Sequence, residues 1–519
     1  MINPILNFSV RQRMLVLLAT VVLIGFGWRA LRQIPIDAFT DVTNVQVQVL
    51  ATAGGMSPPE VEKLVTWPIE IELGGLPRLE EIRSVSKIGL SAITIVFEDG
   101  VDDYFARQLV FERLQSARDK LPAGVDAELG PISTGLGEIY QYTLVSKDKR
   151  YDATELRTIQ DYVVRPILRT VPGVTDVNSF GGLVKQYQVI VNPDRLTSYN
   201  ITLQQVFEAL EKNNANASGN FIEHKSEQYV VRGIGLVKNV EDIEDIIVAT
   251  TAEHVPVYMR DVADVKIGAE LRQGAVTANG NGEAVAGIVL MLKGASGRDV
   301  VNAVKAKLPA IQKALPKGVE LVPFYDRTDL VKKAIHTVTK ALQEGAIFVL
   351  LVLIVLLADV RSAIIVTLVL PLAALFAFIM MRWYGISANL MSLGGLAIGI
   401  GMMVDGAVVM VENIHRHLTE KPATNASKTE IVLYAAKEVG RPIVFGIFII
   451  IAVFLPLFTL QGFEGKMFSP LAFTISFALL GSLILSLTLV PVLATFFLKQ
   501  QPHTQDPIHI RGLKQGYRA

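Results

Sequence analysis

Six long apolar runs, one at the start and five crowded into the final third, leave few folds open to this chain of 519 residues. The first, Met14–Trp28, has Arg11 and Arg13 before it and Arg29 and Arg32 after it. No small-x-small cleavage pattern follows, so the run reads as an uncleaved anchor and not as a signal peptide. The others cover about 341–358, 362–383, 389–413, 441–461 and 468–498. A helix needs roughly 20 apolar residues to cross a bilayer, and the last run exceeds that, so part of it must tilt or leave the hydrocarbon. Pro371, Pro456 and Pro491 fall inside these runs, which a helix bundle tolerates.

Between the first run and the rest, residues 32–340 have the hydropathy of a soluble protein. Strand-like alternation marks 45–49, 92–97 and 186–191, and amphipathic helix patterns mark Asp103–Lys120 and Ala153–Thr170. One phrase recurs at helix ends: Leu121-Pro-Ala-Gly-Val125, Val171-Pro-Gly-Val174 and Leu315-Pro-Lys-Gly-Val319. Each reads as helix end, turn and new strand. The pattern predicts two ferredoxin-like βαβ subdomains, with the segment near 276–292 and the helix Arg298–Leu315 returning to the first of them. A polar insertion at about 213–235 predicts a protruding hairpin or docking loop in the second.

The expected fold class is therefore an α+β membrane protein, a six-helix transmembrane bundle carrying a large domain of such subdomains. The expected divisions are 1–31 for the first span, 32–340 for the outer domain, 341–498 for spans two to six and 499–519 for a tail. Arg416, Lys421, Lys428, Lys437 and Arg441 crowd one loop, and Lys499, Arg511, Lys514 and Arg518 the tail. The opposite loops, 382–389 and 461–468, hold one basic residue each, so the positive-inside rule puts the amino terminus and tail in the cytoplasm. The large domain then faces outward, which in a Gram-negative cell is the periplasm, with the spans in the inner membrane. Zero net charge gives no sign of nucleic-acid binding, and the absence of cysteine excludes disulfides and thiolate metal sites.

The run 389–413 carries the chemistry. Asp405 lies inside it, where an acid costs roughly 2.5–3.5 kcal/mol to insert and is rarely kept without a task. Glu412 is seven residues on, about 20° away around a continuous helix. A pair of helices pinned by a buried acid is the bland alternative; a proton relay at Asp405 and Glu412 is the sharper one.

Four stretches in order resemble the heavy-metal efflux branch of the resistance-nodulation-division (RND) transporters. They are Ile34–Val47 (IPIDAFTDVTNVQV), Gly55–Glu70 (GMSPPEVEKLVTWPIE), Gly75–Ser91 (GLPRLEEIRSVSKIGLS) and Met403–Asn413 (MVDGAVVMVEN). The resemblance runs the length of the chain and corresponds to the amino-terminal half of such a pump. It implies proton-driven antiport, a trimer, a periplasmic adaptor protein and an outer-membrane channel. It also implies a carboxy-terminal half, or a second polypeptide, supplying the lysine that pairs with Asp405 and most of the metal pocket. Copper, silver, cobalt, zinc and cadmium are the ions such pumps handle. No cofactor and no enzymatic activity are expected; the metal is cargo. The other readings are a truncated, non-transporting structural or regulatory partner of a full pump, and an exporter of a non-metal solute.

The drug-exporting branch tends to carry two adjacent aspartates, whereas Gly406 follows Asp405 here. Some divalent-metal members place an acid six residues earlier, and this chain has Gly399 there, which weighs against a divalent substrate. By resemblance, Met391, Met403 and Met410 match methionines proposed as stepping stones for soft copper and silver ions. Methionine is equally an ordinary filler of apolar helices. Glu223, His224, His254 and Met259 lack metal-type spacing, and solvated or core positions suit them better.

Overall fold

A computed structural model describes residues 2–499 apart from 149, 226, 252–253, 273, 281, 358 and 421–426. The tail expected at 499–519 thus lies, after Lys499, outside the described residues. The chain opens with α1 (Ile2–Arg11) and α2 (Arg13–Gln33) and then leaves the apolar layer.

The first extramembrane unit is β1 (Val45–Thr52), a helical connection Pro58–Leu73, β2 (Leu79–Lys87), β3 (Leu90–Phe97), α3 (Asp103–Arg118) and β4 (Asp126–Leu129). Its sheet runs β2-β3-β1-β4, every pair antiparallel. Alternation in β1 turns Val47, Val49 and Ala51 inward, where Val61, Val65, Ile69, Val110 and Leu114 from the helices cover them. The second unit is β5 (Glu138–Ser146), a helical connection Ala153–Arg169, β6 (Val174–Phe180), a long excursion, β13 (Val285–Met291), α4 (Gly297–Ala314) and β14 (Val319–Asp326). Its sheet runs β14-β5-β13-β6. Numbered within each unit, both sheets have the order 4-1-3-2 and βαββαβ connectivity.

The two units share a local irregularity. Each first connection contains a π-helical turn, Glu62–Thr66 and Gln160–Val164, followed at once by Trp67-Pro68 and Arg165-Pro166. A proline ring clashes with the carbonyl four residues back, and one extra residue in the turn moves that carbonyl aside. The helix expected over Ala153–Thr170 is present from Ala153 to Arg169 and carries its π-bulge for this reason.

The return of 276–292 and Arg298–Leu315 to the first unit is corrected. β13 inserts between β5 and β6, and Val300, Val301, Val304 and Ile311 of α4 lie in the second unit's core. Strand alternation encodes which face is buried but not which sheet receives the strand.

The excursion holds β7 (Lys185–Val191), a hairpin of β8 (Ala217–His224) and β9 (Glu227–Gly233), β10 (Ile247–Thr250), β11 (Pro256–Tyr258) and β12 (Ala263–Ala269). β7 pairs with β12, and a small core of Ile201, Val206, Ile243, Val257 and Met259 fills the space behind them. The hairpin stands free, with Phe221, Ile222, Tyr229 and Val230 exposed.

The remaining helices are α5 (Arg327–Leu357), α6 (Val360–Trp383), α7 (Leu390–Met403), α8 (Asp405–Glu420), α9 (Lys428–Phe458), α10 (Gly462–Leu487) and α11 (Leu489–Phe497). Five spans among the described residues are long and apolar enough to cross a membrane: α2, α5, α6, α7 with α8, and α10. In α9 a charged first half precedes an apolar second half, from Arg441 onward. The over-long run expected at 468–498 ends as a span at Thr488 (φ −115°, ψ −67°), where the chain turns into α11.

Several ties fasten the outer units to the bundle. The strand-like exit of α2 bridges the α6–α7 loop, with Asp37 N–H donating to the Ala388 carbonyl (3.2 Å) and Ala388 N–H to that of Pro35 (2.9 Å). Arg327, only 4% exposed, reaches Asp37 at 2.8 Å and donates to the Leu136 carbonyl. Lys466 of α10 meets Asp99 at 2.6 Å and donates to Asn44 Oδ1 at 3.0 Å. Between the units, Lys293 pairs with Asp103 at 2.8 Å.

Candidate functional site: a broken membrane helix

The span 390–419 is two helices. Asn389, buried, caps α7 by accepting from the N–H groups of Met391 and Ser392, both at 3.0 Å. The helical ladder then fails at Val404 (φ −85°, ψ −23°) and restarts when the Val408 N–H returns to the Val404 carbonyl at 2.8 Å. The Ser482 hydroxyl of α10 donates to the freed Met403 carbonyl. A break inside an apolar span is tolerated where a neighbouring side chain satisfies the freed backbone group.

Glycines bring α10 close enough for that contact. A Cβ on Gly395 would stand 2.8 Å from the Leu471 carbonyl oxygen of α10, and one on Gly406 would stand 3.5 Å from Ser486 Oγ of α10 and 3.1 Å from side-chain carbons of Ile443 and Ile447 of α9. Gly395→Val is therefore expected to cost roughly 1–3 kcal/mol by pushing α7 off α10. Thermal unfolding of the detergent-solubilised chain checks this, and an unchanged midpoint would refute the close packing.

Asp405 is the first residue of α8, at the midpoint of the 30-residue span. Its carboxylate therefore sits at the positive end of a helix dipole. Among the described residues no cation lies within ion-pair distance of it. Ile398, Gly401, Asp405, Val409, Glu412 and Arg416 form one exposed stripe along α7 and α8. The structure thus places Asp405 and Glu412 on the same uncovered face, despite the break. Met403 and Met410 are fully buried on the other side, within the bundle core, and Met391 is half-buried in the first turn of α7.

Sequence reasoning missed two neighbours of the break and a polar network farther along α8. Ser482 holds the break, and Ser486, next to Gly406, keeps a buried hydroxyl without a partner among the described residues. Serines four apart on an otherwise apolar run were the available signal. Farther along α8, Asn413 donates to the Ala435 carbonyl (2.9 Å) and to Glu438 (3.1 Å), which also meets His417 at 2.7 Å. That network clamps the far end of α8 to α9. His224, His254 and Met259 do not converge: Met259 is buried in the excursion's core, and the two histidines are exposed. No group of three or more His, Asp or Glu among the described residues could hold a metal.

The AcrB/AcrD/AcrF family model matches residues 5–517. The chain belongs to that family. It is 49% identical over 514 residues to the cobalt-zinc-cadmium resistance protein CzcA of Cupriavidus metallidurans, covering 96% of this chain and 48% of that protein. Its identity to the cation efflux system protein CusA of Escherichia coli K12 is 40% over 518 residues, covering 98% and 50%. The crystal structure of a heavy-metal efflux pump superposes with a TM-score of 0.84 at 38% identity, covering 95% of this chain and 48% of that one. The chain spans about half the length of the curated relatives it matches. Within the family it stands with the heavy-metal efflux branch of the RND transporters, as the four motifs of residues 34–91 and 403–413 imply.

Proposed function

We propose that the chain forms the first half of a protomer in a proton-driven pump that exports heavy-metal cations across a Gram-negative envelope. The observation that carries this reading is Asp405, an acid at a helix break halfway through a membrane span, on a face nothing in the described chain covers. Discontinuous membrane helices place unsatisfied backbone and helix ends at midplane ion sites. The uncovered stripe fits a second membrane half, encoded in the same or another polypeptide, that brings a cation to Asp405. Glu412 extends the relay toward the other end of α8.

On this reading α9 supplies the sixth span through its apolar half, and the two 4-1-3-2 units are ferredoxin-like subdomains in the periplasm. The free β8–β9 hairpin is the arm that docks a neighbouring protomer of a trimer, and the outer surface receives an adaptor and an outer-membrane channel. Met391, Met403 and Met410 remain candidates for passing a soft ion. The 49% identity to a cobalt-zinc-cadmium resistance protein, against 40% to CusA, favours harder divalent cargo. The same uncovered stripe also suits the second reading, a half that assembles with a complete pump without transporting by itself.

A strain deleted for this chain, challenged with cobalt, zinc, cadmium, copper and silver separately, is expected to become sensitive to the divalent group. Sensitivity to none of the five would end the metal reading.

A further inference from the structure

At the membrane end remote from the outer units, three cations from three different helices converge. Arg13 opens α2, Arg361 lies in the first turn of α6 and Lys428 opens α9. Arg13 is fixed there by a hydrogen bond from Nη2 to Thr429 Oγ1 (2.6 Å) and by stacking over Phe496, 5.8 Å from the ring centre. Burial first, and then the charges of Arg13 and Arg361, hold the Lys428 ammonium below its ordinary value. None of the three forms an ion pair among the described residues. The two carboxylates on the same turns are engaged elsewhere: Asp359 caps α6 through the N–H of Arg361 and Ser362, and Glu430 accepts from Ser427. Three like charges are thus held together with only the two capping carboxylates nearby and no direct ion-pair partner among the described residues, an arrangement that a bridging anion would relieve.

An apolar groove begins two residues beyond Arg13 on α2 and runs between α1, α2 and α10. It is lined by Ile5 and Phe8 of α1, Leu15 and Leu23 of α2, and Ile484 and Leu485 of α10, and offers about 450 Å³ in an open slot. Thr20, also in its wall, is seven residues from Arg13 and therefore about 20° away on α2, whereas Leu15, Val16, Ala19 and Leu23 lie roughly 60–160° away, so Arg13 stands at one edge of the groove. Phosphate next to a hydrocarbon slot is the outline of a phospholipid.

We propose that Arg13, Arg361 and Lys428 form a binding site for the phosphate of an anionic phospholipid whose acyl chain lies in the groove between α1, α2 and α10. The site needs only that the chain spans a membrane and is independent of what it transports. Basic pockets between membrane helices recognise headgroups through the same charge-assisted contacts that bind phosphate elsewhere.

Native mass spectrometry of the full chain released from phosphatidylglycerol nanodiscs tests this directly, with phosphatidylcholine nanodiscs in parallel. Wild type is expected to retain phosphatidylglycerol and not phosphatidylcholine, and an excess of inorganic phosphate is expected to leave the adduct in place. Each cation removed should lower retention about fivefold, so Arg13→Gln/Arg361→Gln/Lys428→Gln should lower it about 100-fold. The single variant Arg361→Gln alters an exposed side chain, keeps the fold and should show the fivefold step alone. Equal retention by wild type and Arg361→Gln, equal retention of phosphatidylcholine, or full displacement by inorganic phosphate would each overturn the proposal, the last by identifying a free anion as the ligand. Transport plays no part in the readout, so a failure here leaves the pump reading untouched.

Discussion

Asp405→Asn is expected to abolish metal export by the assembled pump while leaving insertion and fold unchanged. Asparagine matches aspartate in shape, and the exposed position at the start of α8 demands no particular packing. What is lost is the exchangeable proton. One charge moving through 100 mV releases about 2.3 kcal/mol, enough for roughly a 50-fold gradient when fully coupled. The variant should therefore accumulate metal inside to the level of a deletion strain, and proton flux into proteoliposomes should fall to the level of empty vesicles. Glu412→Gln, one helical repeat farther on, should reduce export by less. Wild-type efflux in Asp405→Asn would remove the energy source proposed here.

The second large effect is expected at the Asp37–Arg327 pair, which ties the exit of α2 to the start of α5. Burial raises the Asp37 carboxyl above its ordinary 3.8, and the nearby Arg327 charge, the Ala38 N–H and Arg327 hydrogen bonding offset that only in part. Taking the ions out of water thus outweighs their attraction, as it does for many buried pairs. Asp37→Ala would leave Arg327 buried and uncompensated, at a cost of about 3–5 kcal/mol. Asp37→Leu/Arg327→Met should recover most of that loss, because no charge remains to be solvated. The sign with pH follows. A carboxyl with a raised folded value contributes its stability below the unfolded value and loses it as pH rises through the folded one. Wild type should lose that increment over the window opening at 3.8 and extending upward, whereas the double variant lacks the dependence. Denaturant midpoints for the three proteins across that window check both statements; a double variant as weak as Asp37→Ala would show that the charges themselves hold the joint.

Local signals were largely legible in the residues. The phrase repeated at 121–125, 171–174 and 315–319 marks helix-to-strand turns, and its glycines, Gly124, Gly173 and Gly318, all take positive φ (85°, 87° and 94°). The alternation at 45–49 and 92–97 gave β1 and β3, and the pattern from Asp103 gave α3 to within two residues. Partnership between distant segments was illegible. Nothing in 285–326 says that β13 pairs with β5 and β6, because alternation is the same for any sheet. The break at Val404 was hidden for a related reason. It contains no proline, and the hydroxyl that satisfies it belongs to Ser482, 79 residues away. The acid itself could be found from hydropathy, while its position at a helix start could not.

The ties at Lys466, Arg327 and Ala388 have a mechanical consequence. α10 grips the break through Ser482 at one level and the first outer unit through Asp99 and Asn44 at its end. α10 is therefore one rigid rod between the break beside Asp405 and the loops bordering β1 and β3: its two grips, Ser482 and Lys466, stand about 24 Å apart along the helix, so neither end can shift without loading the other.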